Sequence, residues 1–414
     1  MSPWPAWAET TVWWSLYPLG ACGAPIRTPD TAGVHHRLAR LENWLDYLLD
    51  LGCTGLQLGP LWASTSHGYD VEDHYAIDPR LGDQADFDHL VAACRARHIR
   101  LLLDGVFNHV SPRHPRVLAA LAEGLDSPAG RLFRRDPGRP DGLSRFEGHD
   151  GLVEIDHSAP EALDYVSSVM EYWLARGADG WRLDAAYRVA PRFWAEAIAR
   201  VKQTYPEMLT VAEVLHGDYG AIAAAAGFAS VTQYELWKAI WSSLKDRNPH
   251  ELAWTLARHQ ATHDRELAWT FVSNHDVSRI ATQVEPPAAQ VAAGLLLTLP
   301  GQPAIYYGDE QGWRAEKREC LGGDDAVRPE LPEHPVGLDG QELAFFETYR
   351  RLTGLRRAHP WLATASVEVV HQGPGVLRYH LWSRRGDWLD GTLRLTDGGP
   401  QLTLTDRSGH LLTI

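Results

Sequence analysis

The chain has 414 residues, of which 44% are hydrophobic and 22% charged, with a formal net charge of −14; this is an ordinary globular composition, long enough for a large core and an appended module. No basic run offsets the acidic excess, which argues against nucleic acid and anionic membranes as main partners, and no stretch of ~18 apolar residues predicts a membrane span. Cys22, Cys53, Cys94 and Cys320 form neither a CxxC pair nor a zinc-spaced cluster, and MSPWPAWAETTVWW lacks the basic start and apolar run of a secretory signal, so free thiols in a cytoplasmic protein are expected.

Eight short β-branched or leucine-rich runs end in polar residues. They are TTVWWSLYP (10–18), CTGLQLGP (53–60), HIRLLLDGVFNH (98–109), ADGWRLDAA (178–186), MLTVAEV (208–214), ASVTQYE (229–235), LAWTFVSNHD (267–276) and GQPAIYYGDE (301–310). Helical patterns lie between them at 85–98, 161–177 and 191–205; in the last, Phe193, Ile198 and Val201 share one apolar side. Eight strands alternating with helices over about 300 residues predict a (β/α)8 TIM barrel, an α/β fold with a parallel sheet.

Spacing agrees. A barrel of about 250 residues allots about 31 to each unit. Asp184 and Glu213 are 29 residues apart, Glu213 and Asp276 are 63 apart, and Asp104 and Asp184 are 80 apart. The excess after strand three is a Pro-, Gly-, Arg- and Asp-rich stretch that predicts an insertion at 110–158, rising over the C-terminal face where barrel active sites form. The barrel then occupies 1–109 and 159–360. From 361 to 414, alternating runs with Gly-Pro and Gly-Gly turns predict a small antiparallel β-domain.

Polar residues gather at the predicted strand ends: Asp104, Asn108 and His109 on strand three, Arg182 and Asp184 on strand four, Glu213 on strand five, and His275 and Asp276 on strand seven. Taken singly, each has a structural reading. Asp104 suits a helix N-cap, Arg182–Asp184 a buried ion pair, and Asn274–Asp276 a turn. Carboxylates on several barrel strands converge on one pocket, and that points to chemistry. The 17 tryptophans against 9 phenylalanines suit sugar faces, although core filling accounts for most.

DGVFNH, GWRLD, AEV and SNHD, in that order, resemble the four motifs of the α-amylase family, glycoside hydrolase family 13. SHGYDVEDHYAIDPRLG (66–82) resembles the segment after its second strand, and GQPAIYYGDEQG its eighth strand. The resemblance covers about residues 11–360. It implies Asp184 as nucleophile, Glu213 as general acid/base and Asp276 as the carboxylate that holds sugar hydroxyls. It further implies Tyr69 stacked on the sugar, with Asp70, His109 and His275 around it and Asp104 and Asn108 as braces. Arg182 beside Asp184 is expected to favour its ionised form, and burial is expected to raise Glu213.

Ala185 stands where α-1,6-specific relatives carry valine, which favours an α-1,4 linkage. Tyr187 occupies a position that is lysine, asparagine or histidine in many polymer-acting relatives. Leu215-His216 stands where relatives acting on cyclodextrins often have Trp-His; Tyr187 and His216 are expected to bind substrate, with Tyr187 departing from the family's usual acceptor-side contact. The loop after strand one has one acidic residue, Asp30. Calcium takes about six to eight oxygen ligands, so no first-loop calcium is expected, and no metal or cofactor is assigned. The sequence thus predicts a retaining α-glucoside hydrolase for short oligosaccharides. A transglycosylase or sugar isomerase would use the same residues, whereas an inactive binding homologue conflicts with the intact carboxylates.

Overall fold

A computed structural model describes the chain except residues 1–2, 28–32 and 263–264. Asp30 therefore lies outside the described residues. The eight predicted strands are present: β1 (Trp13–Leu16), β2 (Gly55–Leu58), β3 (Arg100–Gly105), β4 (Gly180–Leu183), β5 (Leu209–Ala212), β6 (Ser230–Val231), β7 (Trp269–Thr270) and β8 (Gln302–Tyr306). They pair in parallel in the order β6-β5-β4-β3-β2-β1-β8-β7. A bridge between Thr232 and Trp269 closes the ring, and the Gln233 N–H donates to the Trp269 carbonyl at 3.0 Å.

These strands are almost wholly buried, as parallel strands covered on both faces must be. Around them run helices with clear boundaries. Gln84–Ala96 starts on a capping box between Asp83 and Asp86. Pro160–Arg176 opens on proline and stops at Gly177 in the left-handed conformation, φ 116°. Pro191–Lys202 buries Phe193, Trp194, Ala197, Ile198 and Val201. Strands six and seven are shorter than their sequence patterns. Their polar ends leave the ladder, and at 274–276 the Asn274 side chain accepts from the Asp276 N–H at 2.8 Å and bends the chain.

Two excursions rise over the C-terminal face. After β2, an antiparallel ribbon of Trp62–Ser64 and Val71–Ile77 carries Tyr69 and Asp70 in its turn. After β3, the insertion is tied to the barrel by a short ribbon of His109–Val110 with Val153–Glu154. It buries Leu132, Phe133, Leu143 and Ile155 in a cluster continuous with the barrel core, and Phe146 beside His109.

At the far end, β9 (Ser366–Gly373), β10 (Val376–Trp382), β11 (Trp388–Thr396), β12 (Gly399–Asp406) and β13 (Gly409–Thr413) form an antiparallel meander. Its alternating leucines are buried. The sheet abuts the helix Pro286–Thr298 so closely that a Cβ on Gly294 would lie 2.8 Å from Leu402. Among the described residues, no helix is long and apolar enough to cross a membrane.

Gly180 is where fold and site meet. It pairs with Leu209, and a Cβ there would lie 2.2 Å from the Leu209 carbonyl oxygen. Gly180→Ala is expected to push β4 from β5 and cost about 1–3 kcal/mol. Chemical denaturation should register that loss. Activity should fall with it, because Arg182 and Asp184 ride on one strand end and Glu213 on the other.

Candidate active site

Arg182 is the hub of the strand ends. Its side chain is buried, and one terminal nitrogen, Nη1, donates to both oxygens of Asp104 at 2.8 Å and to Asp184 Oδ1 at 2.9 Å. The other, Nη2, lies 2.7 Å from Glu213 Oε1. One cation therefore serves carboxylates from β3, β4 and β5. The pleat makes this possible: Arg182 and Asp184 are two apart and face the same way.

Directly after Asp184, Ala185 adopts a left-handed conformation, φ 46° and ψ 34°, which is uncommon without glycine. The turn aims its N–H at Glu213 Oε2, 2.9 Å away. Asp276 forms a second cluster. His275 Nε2 lies 2.9 Å from its Oδ2, and Arg328 Nη2 lies 3.1 Å from its Oδ1. Arg328 also pairs with Asp324 at 3.2 Å, donates to the His275 carbonyl at 3.0 Å, and sits over the Tyr17 ring at 4.5 Å.

Tyr69 packs face to face on His275, with ring centroids 5.4 Å apart, and hydrogen-bonds to His275 Nε2 and to Asp104. His109 is stacked on Phe146 at 4.6 Å and bonds the Tyr69 carbonyl at 3.1 Å. Asp70 accepts from the Ser66 N–H at 3.0 Å and hydroxyl at 2.6 Å, which braces the turn carrying Tyr69. Asn108 bonds the His109 ring at 3.2 Å.

Tyr69, Asp70, His109, Asp184, Glu213, and Asp276 line one cavity of about 690 Å³, with Asp104, Arg182 and Asn108 buried around them. Three further predicted residues do not line it. His275 is buried between Tyr69 and Asp276, and Tyr187 and His216 lie outside. Tyr187 is exposed at the rim and donates to Glu147 of the insertion at 3.2 Å. His216 is exposed on the loop after β5. Two participants escaped sequence reasoning. Arg328 comes from a loop well past β8 and has no motif around it. Tyr234, whose hydroxyl is 3.4 Å from Glu213 Oε1, stands at the end of ASVTQYE, a predicted strand to which no site residue had been assigned.

Arg182 pulls Asp184 towards its ionised form as expected, but other effects are larger. Burial raises Asp184 to about 7, and Asp104 and Asp276 push the same way against Arg182. The guanidinium does favour the ionised form, but it is shared with Asp104 and Glu213 and does not outweigh burial. Burial likewise raises Asp104 to about 6 and shifts Glu213 upward. Burial also opposes ionisation of Asp276, but His275 and Arg328 outweigh it and hold this carboxyl far below the usual range. Burial lowers His109 to about 3, so it is a neutral hydrogen-bonding ring.

Among the described residues, His36, Asp83 and Asp86 alone bring three metal-ligating side chains together, outside this cavity. Asp83 and Asp86 are engaged in capping a helix, and His36 bonds Asp86 at 2.8 Å.

The alpha amylase catalytic-domain family matches residues 33–133 and 146–366. A cyclomaltodextrinase of Geobacillus thermopakistaniensis (strain MAS1) is 30% identical over 401 residues, and neopullulanase 2 of Thermoactinomyces vulgaris 29% over 395. Each alignment takes in 89% of this chain but 66% of the relative, so the chain spans just under two thirds of their length. The ligand-free cyclic alpha-maltosyl-(1→6)-maltose hydrolase of Arthrobacter globiformis has the same fold, with a TM-score of 0.82, 22% identity and 99% of both chains covered.

The raised Asp184 makes a prediction about stability. Its unfolded value is about 3.9 and its folded value about 7, so ionising it in the folded state costs free energy. That cost is absent below pH ~4, grows as pH rises and is complete above pH ~7. Asp184→Asn should therefore melt about 1–3 °C above the wild type at pH 8, with the difference vanishing near pH 4 in thermal unfolding scans.

Proposed function

The chain belongs to the α-amylase family, and on that footing we propose that it is a retaining hydrolase of α-1,4-linked glucose oligosaccharides. The observation that carries this reading is the pairing of Asp184 and Glu213 on adjacent nitrogens of one guanidinium. Two carboxyls so tethered suit the close spacing of a retaining pair, about 5–5.5 Å, better than the 6.5–9.5 Å of an inverting one.

The charge balance suits the chemistry. One cation among Asp104, Asp184 and Glu213 leaves an excess of negative charge, so the group retains a proton near neutral pH. Catalysis requires that proton on Glu213. Asp184 attacks the anomeric carbon as Glu213 protonates the departing glycosidic oxygen, and a covalent glycosyl-enzyme forms. Glu213, now a carboxylate, takes a proton from water. The water oxygen bonds the anomeric carbon, Asp184 leaves, and the configuration is retained. Asp276, held ionised, accepts hydrogen bonds from sugar hydroxyls.

The substrate is short. The cavity falls in the range of small-molecule sites, about 300–1,000 Å³, and the relatives named above include a cyclomaltodextrinase. The same proposal places the protein in a reducing, cytoplasmic setting, supported by four free cysteines, three of them buried.

Incubation with maltotriose followed by NMR should show the α-anomer first; the β-anomer would overturn the retaining assignment. Transfer products in excess of free sugar at high maltotriose would make the enzyme a transglycosylase. Glu213→Gln should lower kcat on maltotriose by about 10³-fold or more. It should cost far less on an aryl α-glucoside, whose leaving group needs little protonation.

A further inference from the structure

Glu213 is held by three donors from different parts of the barrel top. Arg182 and Tyr234 both address Oε1, and the Ala185 N–H addresses Oε2. The direction of the Tyr234 contact is fixed by a neighbour. The Asp276 N–H can only donate, and it donates to Asn274 Oδ1 at 2.8 Å. That settles the orientation of the Asn274 amide. Its Nδ2, a donor only, is 2.9 Å from the Tyr234 hydroxyl oxygen. Tyr234 accepts there, so its own O–H is turned to Glu213 Oε1. An ordered chain thus runs from the backbone of Asp276 through Asn274 and Tyr234 to Glu213.

We propose that Tyr234 and Asn274 are positioning residues for the acid/base, and that with Arg182 they reserve Oε1 as the charged acceptor and leave the transferable proton on Oε2. The inference rests on Glu213 being the acid/base. Oε1 faces two donors, one of them a guanidinium, and a proton placed there would meet both. Oε2 meets one backbone N–H and retains a lone pair for the proton it gives to the glycosidic oxygen. Tyr234 is itself held by edge contacts with Phe271 and Trp237, centroids 4.9 and 5.9 Å away, so its hydroxyl has a defined place.

A donor to Oε1 stabilises the carboxylate and lowers the Glu213 pKa, so removing it must raise that pKa. The other groups that set this value are Asp104, Arg182, Asp184, Tyr187 and Asp276, none of which Tyr234→Phe alters. The acid must be protonated for glycosylation, so activity on the alkaline limb is lost as Glu213 ionises. In Tyr234→Phe the alkaline limb of kcat/KM for maltotriose should move up by about 0.5–1 pH unit. Asn274→Asp should move it further the same way. Its second oxygen would accept the Tyr234 O–H and draw it from Glu213, and its charge would oppose ionisation. Folding of each variant is checked by its melting curve, and Asn274→Asp supplies the readout if Tyr234→Phe does not fold. A limb that stays in place or moves down in a folded variant overturns the proposal. Undiminished maltotriose hydrolysis by Glu213→Gln would instead remove the functional reading on which it stands.

Discussion

The barrel top is organised around a buried cation. Arg182 touches carboxylates from three strands, and none of them would tolerate its burial without it. An unpaired buried charge costs several kcal/mol, whereas a shared one is partly repaid. The sharing also has a chemical consequence. Three acids on one guanidinium cannot all ionise cheaply, and Asp104, Asp184 and Glu213 are all raised. The strain lies nearby, in the left-handed Ala185, whose N–H is thereby directed to Glu213.

A second cation, Arg328, does the opposite for Asp276. Together with the His275 ring 2.9 Å from Oδ2, it holds this carboxyl ionised despite burial. The carboxyls at the barrel top thus differ in charge, set by how many acids each cation must serve and by exposure, the Asp276 side chain being 34% exposed and that of Asp184 12%. The insertion after β3 completes the arrangement. Phe146 backs His109, and Glu147 meets Tyr187 at the rim, so the loop above the barrel is joined to the strand-four turn that carries Asp184.

Much of this was legible in the chain. The strand runs, the 29-residue interval between Asp184 and Glu213, and the long gap after Asp104 specify a barrel with an insertion, because unit length is fixed by the geometry of strand, helix and two loops. Asp184, Glu213 and Asp276 were readable for the same reason: a polar residue closing an apolar strand has one place to go. Tyr187 and His216 were harder. They lie beyond the strands, on loop residues whose direction no periodicity determines, and both are exposed in the structure.

The sequence alone determined the order of elements, the kind of sheet and which carboxylates would meet, since strand periodicity and spacing are local properties. Tertiary structure alone decided the partners. Arg328 reaches Asp276 from 52 residues away, and Tyr234 reaches Glu213 from the neighbouring strand end. It also decided the charge states. The expectation that Arg182 keeps Asp184 ionised counted one neighbour, but a pKa depends on every charge and every lost water around a group, and those are set only when the barrel closes.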